Sequence, residues 1–279
     1  METTLSVIGG DRRQAELARL LAADGYKVST YGLVRWEVEG DVNLETAIRS
    51  KIIVLPLPLC REDGVLNCAE APILVTELFQ RLRPEQQILA GQINAAWFRA
   101  AEALGLKVAD YFLREEVTVA NAALTAEAAL QVAMEHLDCS IQGMDCLVVG
   151  FGRIGKLLSR YLSAVGARVT ATARKPEDLA WIRAFGWEAA RTDSLAETMG
   201  RFSVVFNTVP ALVLDETLLS RMSESCLCVD LASQRGIDPD AAERLGIEVL
   251  WARALPGRLK PRAAAGILRD AIYDILMEG

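Results

Sequence analysis

Histidine is nearly missing from this 279-residue chain: His136 is the only one. It falls in the last turn of a helix-like stretch, where a histidine favours the helix itself. That leaves no histidine-rich metal site, and it removes the usual base of a Ser-His-Asp triad. Cysteine is sparse as well. Six thiols (Cys60, Cys68, Cys139, Cys146, Cys226, Cys228) are too few to staple a chain of this length, and most sit in apolar runs. Cys226 and Cys228 share one apolar strand and make a poor metal site, so no metal is expected. Aromatic residues make up 6%, and the five tryptophans are scattered as core and packing residues. Positive charge is in deficit: 30 basic against 37 acidic residues leave a net charge of −7. Such a chain offers no cationic field to nucleic acid or to an anionic membrane. An anionic small ligand needs only a local cationic pocket. No run approaches the ~20 uninterrupted apolar residues that span a bilayer. At the start, METTLSVIGGDRRQ has no basic residue ahead of its apolar run, and Asp11 follows too soon for a signal sequence. These absences together predict a cytoplasmic protein that binds neither nucleic acid nor membrane.

What remains is an ordinary globular composition, 52% hydrophobic and 24% charged, in a length comfortable for two domains. Strand-like and helix-like segments alternate. Leu5–Ile8 is a short apolar run that ends in Gly9-Gly10-Asp11. Arg12–Ala23 has helical spacing, and Lys27–Tyr31 reads as a strand. Ile52–Leu55 is a continuous apolar strand, closed by Pro56-Leu57-Pro58. Ile73–Leu82 and Ala95–Leu104 read as helices, and Gln87–Ala90 and Leu106–Ala109 as strands. Strands separated by helices imply βαβ units and parallel sheets buried on both faces. Asp110–Asn121 is polar and irregular. Leu124–Leu137 follows as a long helix with Asn121 or Thr125 as its cap. A fresh series then begins with the strand Asp145–Val149 and the helix Lys156–Val165. Further strands are read at 167–171, 203–207, 226–231 and 248–251, and Pro261–Met277 is a closing helix with one apolar stripe. The expected fold is α/β: two doubly wound Rossmann-like lobes with mostly parallel sheets, bridged by a long helix. The expected division is 1–122 for an N-terminal substrate domain and 123–261 for a nucleotide-binding domain, with 262–279 packing back on the first.

Gly150-Phe151-Gly152-Arg153-Ile154-Gly155 carries the strongest chemical signal. A lone G-x-G-x-x-G is weak, but this one follows an apolar strand and opens a helix. Gly150 permits the tight turn, Gly152 lets the backbone approach a pyrophosphate, and Gly155 allows close helix–strand packing; Arg153 and Ile154 add first-turn amides. The alternative is a Rossmann lobe that has lost its nucleotide. The next strand ends in Arg174-Lys175, where readers of NAD carry an acid for the ribose 2′-OH. A cationic pair suits a 2′-phosphate, so NADP is expected ahead of NAD, with the Thr172 hydroxyl as a further contact. A solvated pair at a helix start is the bland alternative. Asn207, Thr208 and Pro210 follow one strand and Asp230 ends the next, at the edge where a doubly wound sheet places its ligand; a plain turn would use the same residues.

In the first lobe, Gly9-Gly10-Asp11-Arg12 is a glycine-rich strand-to-helix turn that suits a carboxylate, or is a plain βα turn with exposed arginines. Arg114, Glu116 and Glu127 cluster in sequence where the lobes join. An enclosed carboxylate there, its pKa raised by burial, would be a general acid or base; the bland reading is an acidic first turn.

These segments resemble one family. The opening IGGDRRQ, the strand closing in PLP, DYFLREEVTVANAALTAEAALQVAM, VVGFGRIGKLL, FNTVP, VDLAS and ALPG are similar to the A subunits of dipicolinate synthase from endospore-forming bacteria. The likeness runs end to end, and Asp110–Met134 is its most specific part. The chain departs from the family pattern at Gln234-Arg235-Gly236, where a Gly-Gly pair is usual, and at Ala263–Ala265, where a threonine is usual. The resemblance implies the dehydration and oxidation of a hydroxy-tetrahydro- or dihydrodipicolinate to pyridine-2,6-dicarboxylate, an offshoot of the lysine branch. It implies a partner, a flavoprotein-like B subunit, and the mother cell of a sporulating bacterium as location; homo-oligomerisation stays open. A substrate with two carboxylates needs cationic anchors, for which Arg12, Arg114, Arg258 and Lys260 are candidates, with Arg262 beside them. Glu116 or Glu127 would take the ring proton, with Arg114 alongside. Two other readings stand next to this one. In one, the chain only binds nucleotide and substrate while the partner's flavin carries the redox step. In the other, it is an unrelated bilobal NADP-dependent dehydrogenase of amino or hydroxy acids, although hydroxy-acid dehydrogenases usually need a histidine base.

Overall fold

The computed structural model describes residues 4–61, 63–69 and 72–278. The chain divides into two compact units. One is built from the residues up to Asn121 together with those from Pro256 onward, the other from Ala122–Leu255.

In unit one, five strands form a parallel sheet: β1 (Thr4–Ile8), β2 (Lys27–Tyr31), β3 (Ile52–Val54), β4 (Gln87–Ala90) and β5 (Lys107–Asp110), in the order β2-β1-β3-β4-β5. The helices between them are α1 (Arg12–Ala23), α2 (Leu44–Ala47), α3 (Val75–Arg81) and α4 (Ala95–Ala103). Apolar side chains fill both faces of the sheet, as a parallel sheet requires. Ile53, Leu55, Phe79 and Ile88 pack on one face; Leu5, Val7, Leu17, Leu21 and Val54 pack on the other. That second face also receives Ala265, Leu268, Ala271 and Ile272 of the final helix, α11 (Pro261–Glu278), so the C-terminal helix completes the N-terminal core.

The chain leaves unit one through α5 (Glu115–His136), 22 residues long. The sequence places its start at Leu124; the structure places it nine residues earlier. Val117, Thr118 and Val119 are β-branched and disguise the helical period. Glu115 and Glu116 sit in the first turn, where the helix dipole favours anions. Asn121 and Thr125, expected as caps, therefore lie within the helix. By length and hydropathy α5 could cross a bilayer, but Glu127 interrupts it, and its buried alanines Ala122, Ala126, Ala128, Ala129 and Ala133 mark a core helix.

Unit two carries a six-stranded parallel sheet: β6 (Asp145–Val149), β7 (Arg168–Ala173), β8 (Glu188–Arg191), β9 (Val204–Asn207), β10 (Leu227–Asp230) and β11 (Glu248–Trp251). Its order, β11-β10-β9-β6-β7-β8, reverses direction between β6 and β9, the doubly wound arrangement. The helices α6 (Arg153–Ala164), α7 (Pro176–Ala184), α8 (Glu216–Leu219) and α9 (Pro239–Arg244) connect the strands, and α10 (Leu255–Leu259) leads into α11. Cys226 and Cys228 both belong to the core around Leu147, Val205 and Leu219. Among the described residues no cluster of metal-ligating side chains occurs.

Candidate functional site: the glycine turn and the strand ends of unit two

The turn after β6 has the shape its glycines allow. Gly150 adopts φ +98°, a conformation that L side chains rarely take. A Cβ on Gly155 would stand 2.1 Å from the Gly150 carbonyl oxygen, so helix and turn pack with no room for a side chain. A Cβ on Gly152 would meet nothing within 4 Å. The space in front of that residue is open, and Gly152 is the N-cap of α6, which no side chain caps. The first-turn amides of Arg153, Ile154 and Gly155 thus face an uncovered helix N-terminus at the point where the sheet reverses, and a phosphate fits there. Arg153 is exposed and Ile154 half-buried. Phe151, inside the turn, packs edge-on against Trp187, with ring centres 6.4 Å apart.

Arg174 and Lys175 follow β7 directly. Both are exposed, and neither has an ion pair among the described residues. Lys175 is the N-cap of α7. An anion brought to this strand end meets two unspent cations.

Three residues expected to touch the nucleotide have other partners. Thr172 is fully buried; its hydroxyl accepts the Gly150 N–H at 3.1 Å and the Thr192 hydroxyl at 3.2 Å. It holds the glycine turn and is not presented to a 2′-phosphate. Asn207 is also fully buried. Its Nδ2 donates to Asp230 Oδ1 at 2.8 Å and to the Val209 carbonyl at 3.0 Å, and its Oδ1 accepts the Val209 N–H at 3.1 Å. Asp230, 1% exposed, accepts the Ala232 and Gly236 N–H groups at 3.2 and 2.8 Å. Asn207 and Asp230 therefore fasten the loop 231–236 to the strand ends. A buried carboxylate needs such donors, and these meet its needs from within the chain. Thr208 is half-buried and donates to the Val149 carbonyl at 2.9 Å; Pro210 is exposed.

The sequence reading names Arg235 only as a departure from the family pattern, not as a site residue. Arg235 follows Asp230 on the anchored loop, is exposed, and lies against the Trp251 ring. A cavity of about 220 Å³ opens beside them, lined also by Ile237, Ile247 and Val249 and by the acidic residues Asp230 and Glu243. A cation just beyond a strand end at the ligand edge of the sheet was the available signal.

In unit one, the turn after β1 meets its backbone needs from within the chain, while the buried Gln14 Nε2 has no hydrogen-bond partner among the described residues. Asp11 caps α1: its carboxylate accepts the Arg13 N–H at 2.8 Å, and Gln14 Oε1 accepts the Asp11 N–H at 3.1 Å. Arg13, 6% exposed, pairs with Asp11 at 2.8 Å and donates to the Leu57 carbonyl at 2.7 Å. A Cβ on Gly257 would stand 2.7 Å from the Asp11 carboxylate, so the residues before α11 close over this pair. The turn thus keeps its own carboxylate, and only Arg12 points its charge outward as an exposed residue. Arg258 and Arg262 are exposed, and Lys260 is half-buried.

Arg114 is not a free anchor. It binds Glu278 at 2.9 Å and Glu116, both exposed carboxylates. Glu116 does not have the enclosure expected of it. Hydrogen bonds from the backbone and from Arg114 hold its carboxyl below the usual carboxylate range, the reverse of the rise that burial would give. Glu127 is exposed on α5. The enclosed carboxylate in unit one is Asp110, 8% exposed, which accepts the Gln92, Ile93 and Phe112 N–H groups. Burial pushes its pKa up despite those three bonds.

Comparison with known proteins places the two units separately. Residues 4–112 match the N-terminal domain of the dipicolinate synthase A subunit, and residues 116–241 match the NAD binding domain of D-isomer specific 2-hydroxyacid dehydrogenases. The chain is 31% identical to the dipicolinate synthase A subunit of Bacillus subtilis (strain 168) over 98% of this chain and 96% of that one. The crystal structure of that B. subtilis protein superposes with a TM-score of 0.85 at 30% identity, covering 100% of this chain and 97% of that one. The dipicolinate synthase A subunit of Bacillus halodurans superposes with a TM-score of 0.86 at 27% identity, covering 99% and 98%. Unit two is a nicotinamide-dinucleotide domain of the oxidoreductase type.

Proposed function

The chain belongs to the family of dipicolinate synthase A subunits, and from that premise we propose that it is the nucleotide-binding subunit of a dipicolinate synthase, using NADP. The reading rests on one observation above others: an uncapped helix N-terminus behind an open Gly152, with two exposed cations, neither ion-paired among the described residues, at the end of the neighbouring strand. The amides of Arg153, Ile154 and Gly155 hold the pyrophosphate, and Arg174 and Lys175 hold a 2′-phosphate. When bound, the nicotinamide supplies a hydride acceptor.

The substrate is a hydroxy-tetrahydro- or dihydropyridine carrying two carboxylates. Loss of water from the first form, then of one hydride and one proton, leaves aromatic pyridine-2,6-dicarboxylate. Because aromatisation favours hydride loss, the protein's task is to place the ring carbon and to hold the two negative charges. Arg12 and Arg258 of unit one are proposed to face the anionic substrate. Glu116 is a poor proton acceptor, since hydrogen bonds from the backbone and from Arg114 favour its ionised carboxyl; of the two carboxylates considered, Glu127 remains the candidate. A flavoprotein-like B subunit is the proposed partner, in the mother cell of a sporulating bacterium.

The test is to incubate the purified chain with enzymatically made dihydrodipicolinate and NADP and to follow NADPH absorbance. A rise supports the proposal. Silence from the chain alone, with turnover restored by the flavin-bearing B subunit, would move the redox step to the partner.

A further inference from the structure

Between α9 and β11, unit two holds an open hollow of about 220 Å³ that the dinucleotide reading leaves unused. Ile237, Ile247 and Val249 give it an apolar wall, and two oppositely charged side chains, Arg235 and Glu243, stand exposed beside that wall. Neither has an ion-pair partner among the described residues. Both are carried on fixed backbone. Asp230 binds the loop of Arg235 by accepting the Ala232 and Gly236 N–H groups, and the Gly236 carbonyl accepts the Val213 and Leu214 N–H groups at 2.9 and 3.0 Å. The Arg235 guanidinium lies 4.4 Å from the centre of the Trp251 ring, and Trp251 Nε1 donates to the Ala232 carbonyl at 3.4 Å. Arg253 lies 4.7 Å from the same ring but does not line the hollow. Helix α9 is capped by Asp238, whose carboxylate accepts the Asp240 and Ala241 N–H groups at 3.1 Å. Its Ala241 and Ala242 pack into the core with Ile237 and Ile247, and Glu243 is the next residue along the helix.

The charges at this hollow decide what it can hold. Asp230 also lines it, so one guanidinium stands with two carboxylates. Asp230 spends its oxygens on donors of the chain itself, from Asn207, Ala232 and Gly236. A dianion would enter net negative charge, and a simple monoanion would pair with Arg235 while being repelled by Glu243. A ligand with one cation and one carboxylate answers both groups, and its apolar body takes the hollow. A void of ~150 Å³ accommodates a benzene ring, so a branched four-carbon side chain fits. We propose that Arg235 and Glu243 bind the carboxylate and the ammonium of an aliphatic α-amino acid, whose side chain rests on Ile237, Ile247 and Val249. A planar guanidinium meets a carboxylate with two parallel hydrogen bonds, and Trp251 restrains its plane. The site is formed by unit two alone and is independent of the substrate reading given under Proposed function.

Calorimetric titration of the full chain with L-leucine, 4-methylpentanoate and 3-methylbutylamine tests this; the second probe lacks the ammonium and the third lacks the carboxylate. The wild type is expected to bind leucine at least tenfold more tightly than either fragment, and tenfold more tightly than L-glutamate, whose side chain brings a further negative charge to an apolar wall. Arg235→Gln should weaken leucine tenfold or more, the loss expected of a charge-assisted pair, and leave 3-methylbutylamine no weaker. Glu243→Gln should weaken leucine by a similar factor and leave 4-methylpentanoate no weaker. Both side chains are exposed, so each variant should keep the wild-type melting temperature, which separates lost binding from lost fold. Leucine bound with unchanged affinity by the Arg235→Gln/Glu243→Gln double variant would place the amino acid elsewhere and overturn the site. Binding of 4-methylpentanoate as tightly as leucine would remove Glu243 from the site and overturn the ligand class. A wild type that binds no leucine would overturn the proposal outright.

Discussion

Asn207 and Asp230 end neighbouring strands at the ligand edge of unit two, and both turn inward. Their bond at 2.8 Å and the amides of Ala232 and Gly236 form one buried network. Replacing Asn207 with Ala removes a donor from a carboxylate that water cannot reach, and an unsatisfied buried group costs about 1–3 kcal/mol. The Asn207→Ala variant should melt several degrees lower, measured by calorimetry, and loop 231–236 should exchange its amides faster. A variant as stable as the wild type would show that the network is dispensable. Arg174 and Lys175 have no such ties, and their replacement should act on the ligand alone. In an Arg174→Gln/Lys175→Gln double variant, NADP affinity should fall tenfold or more while NAD affinity changes little, because charge-assisted bonds to phosphate are worth about 1.5–3 kcal/mol each. Equal losses for both coenzymes would mean that the pair does not read the 2′-phosphate.

At the scale of elements, α5 departs furthest from what its sequence suggests. Its first turns carry Val117, Thr118 and Val119, residues with strand preference, yet the backbone is helical from Glu115. Burial of Val117 against the core of unit one, at 2% exposure, outweighs that local preference. The amides of residues 119–123 should be protected in hydrogen exchange to the same degree as those of 128–133. Fast exchange confined to 119–123 would return the segment to a loop. The parallel strands were easier to read, because buried runs such as Ile52–Val54 and Cys146–Val149 are apolar throughout. By contrast β8, Glu-Ala-Ala-Arg at a sheet edge, has no such run and gives no strand signal. The glycine turn was legible because its spacing is local in sequence. The pairing of Arg13 with Asp11 and Leu57, the inward turn of Asp230, and the meeting of Arg235, Trp251 and Arg253 depend on contacts made through space. Periodicity cannot report those.

For the whole molecule, the acidic balance predicts how stability responds to pH. Glu116 and Glu278 beside Arg114, Asp145 beside Arg168 and Asp193 beside Arg191 all have carboxyl pKa values lowered in the folded chain. Groups lowered on folding stabilise the fold above their unfolded pKa of about 4, and that contribution disappears as pH falls through the folded values. Asp110 acts in the opposite sense: its raised pKa favours the fold when protonated and costs stability once it ionises. The melting temperature should therefore fall as pH drops from about 5 toward 3, with Asp110 offsetting part of the loss. Three of the four lowered groups are exposed and Asp145 is half-buried, so added salt should flatten the profile. A melting temperature that rises on acidification would show that burial of Asp110 dominates.

A diphosphate resting on the amides at the start of α6, in front of Gly152, carries the proposed function more than any other contact. Calorimetric titration of NADPH into the wild type and a Gly152→Val variant tests it directly. A Cβ at position 152 would meet nothing within 4 Å, so the variant should keep the wild-type melting temperature and lose NADPH binding as its side chain occupies the open space. A Gly152→Val protein that binds NADPH with unchanged affinity would put the phosphates elsewhere and contradict the proposed function.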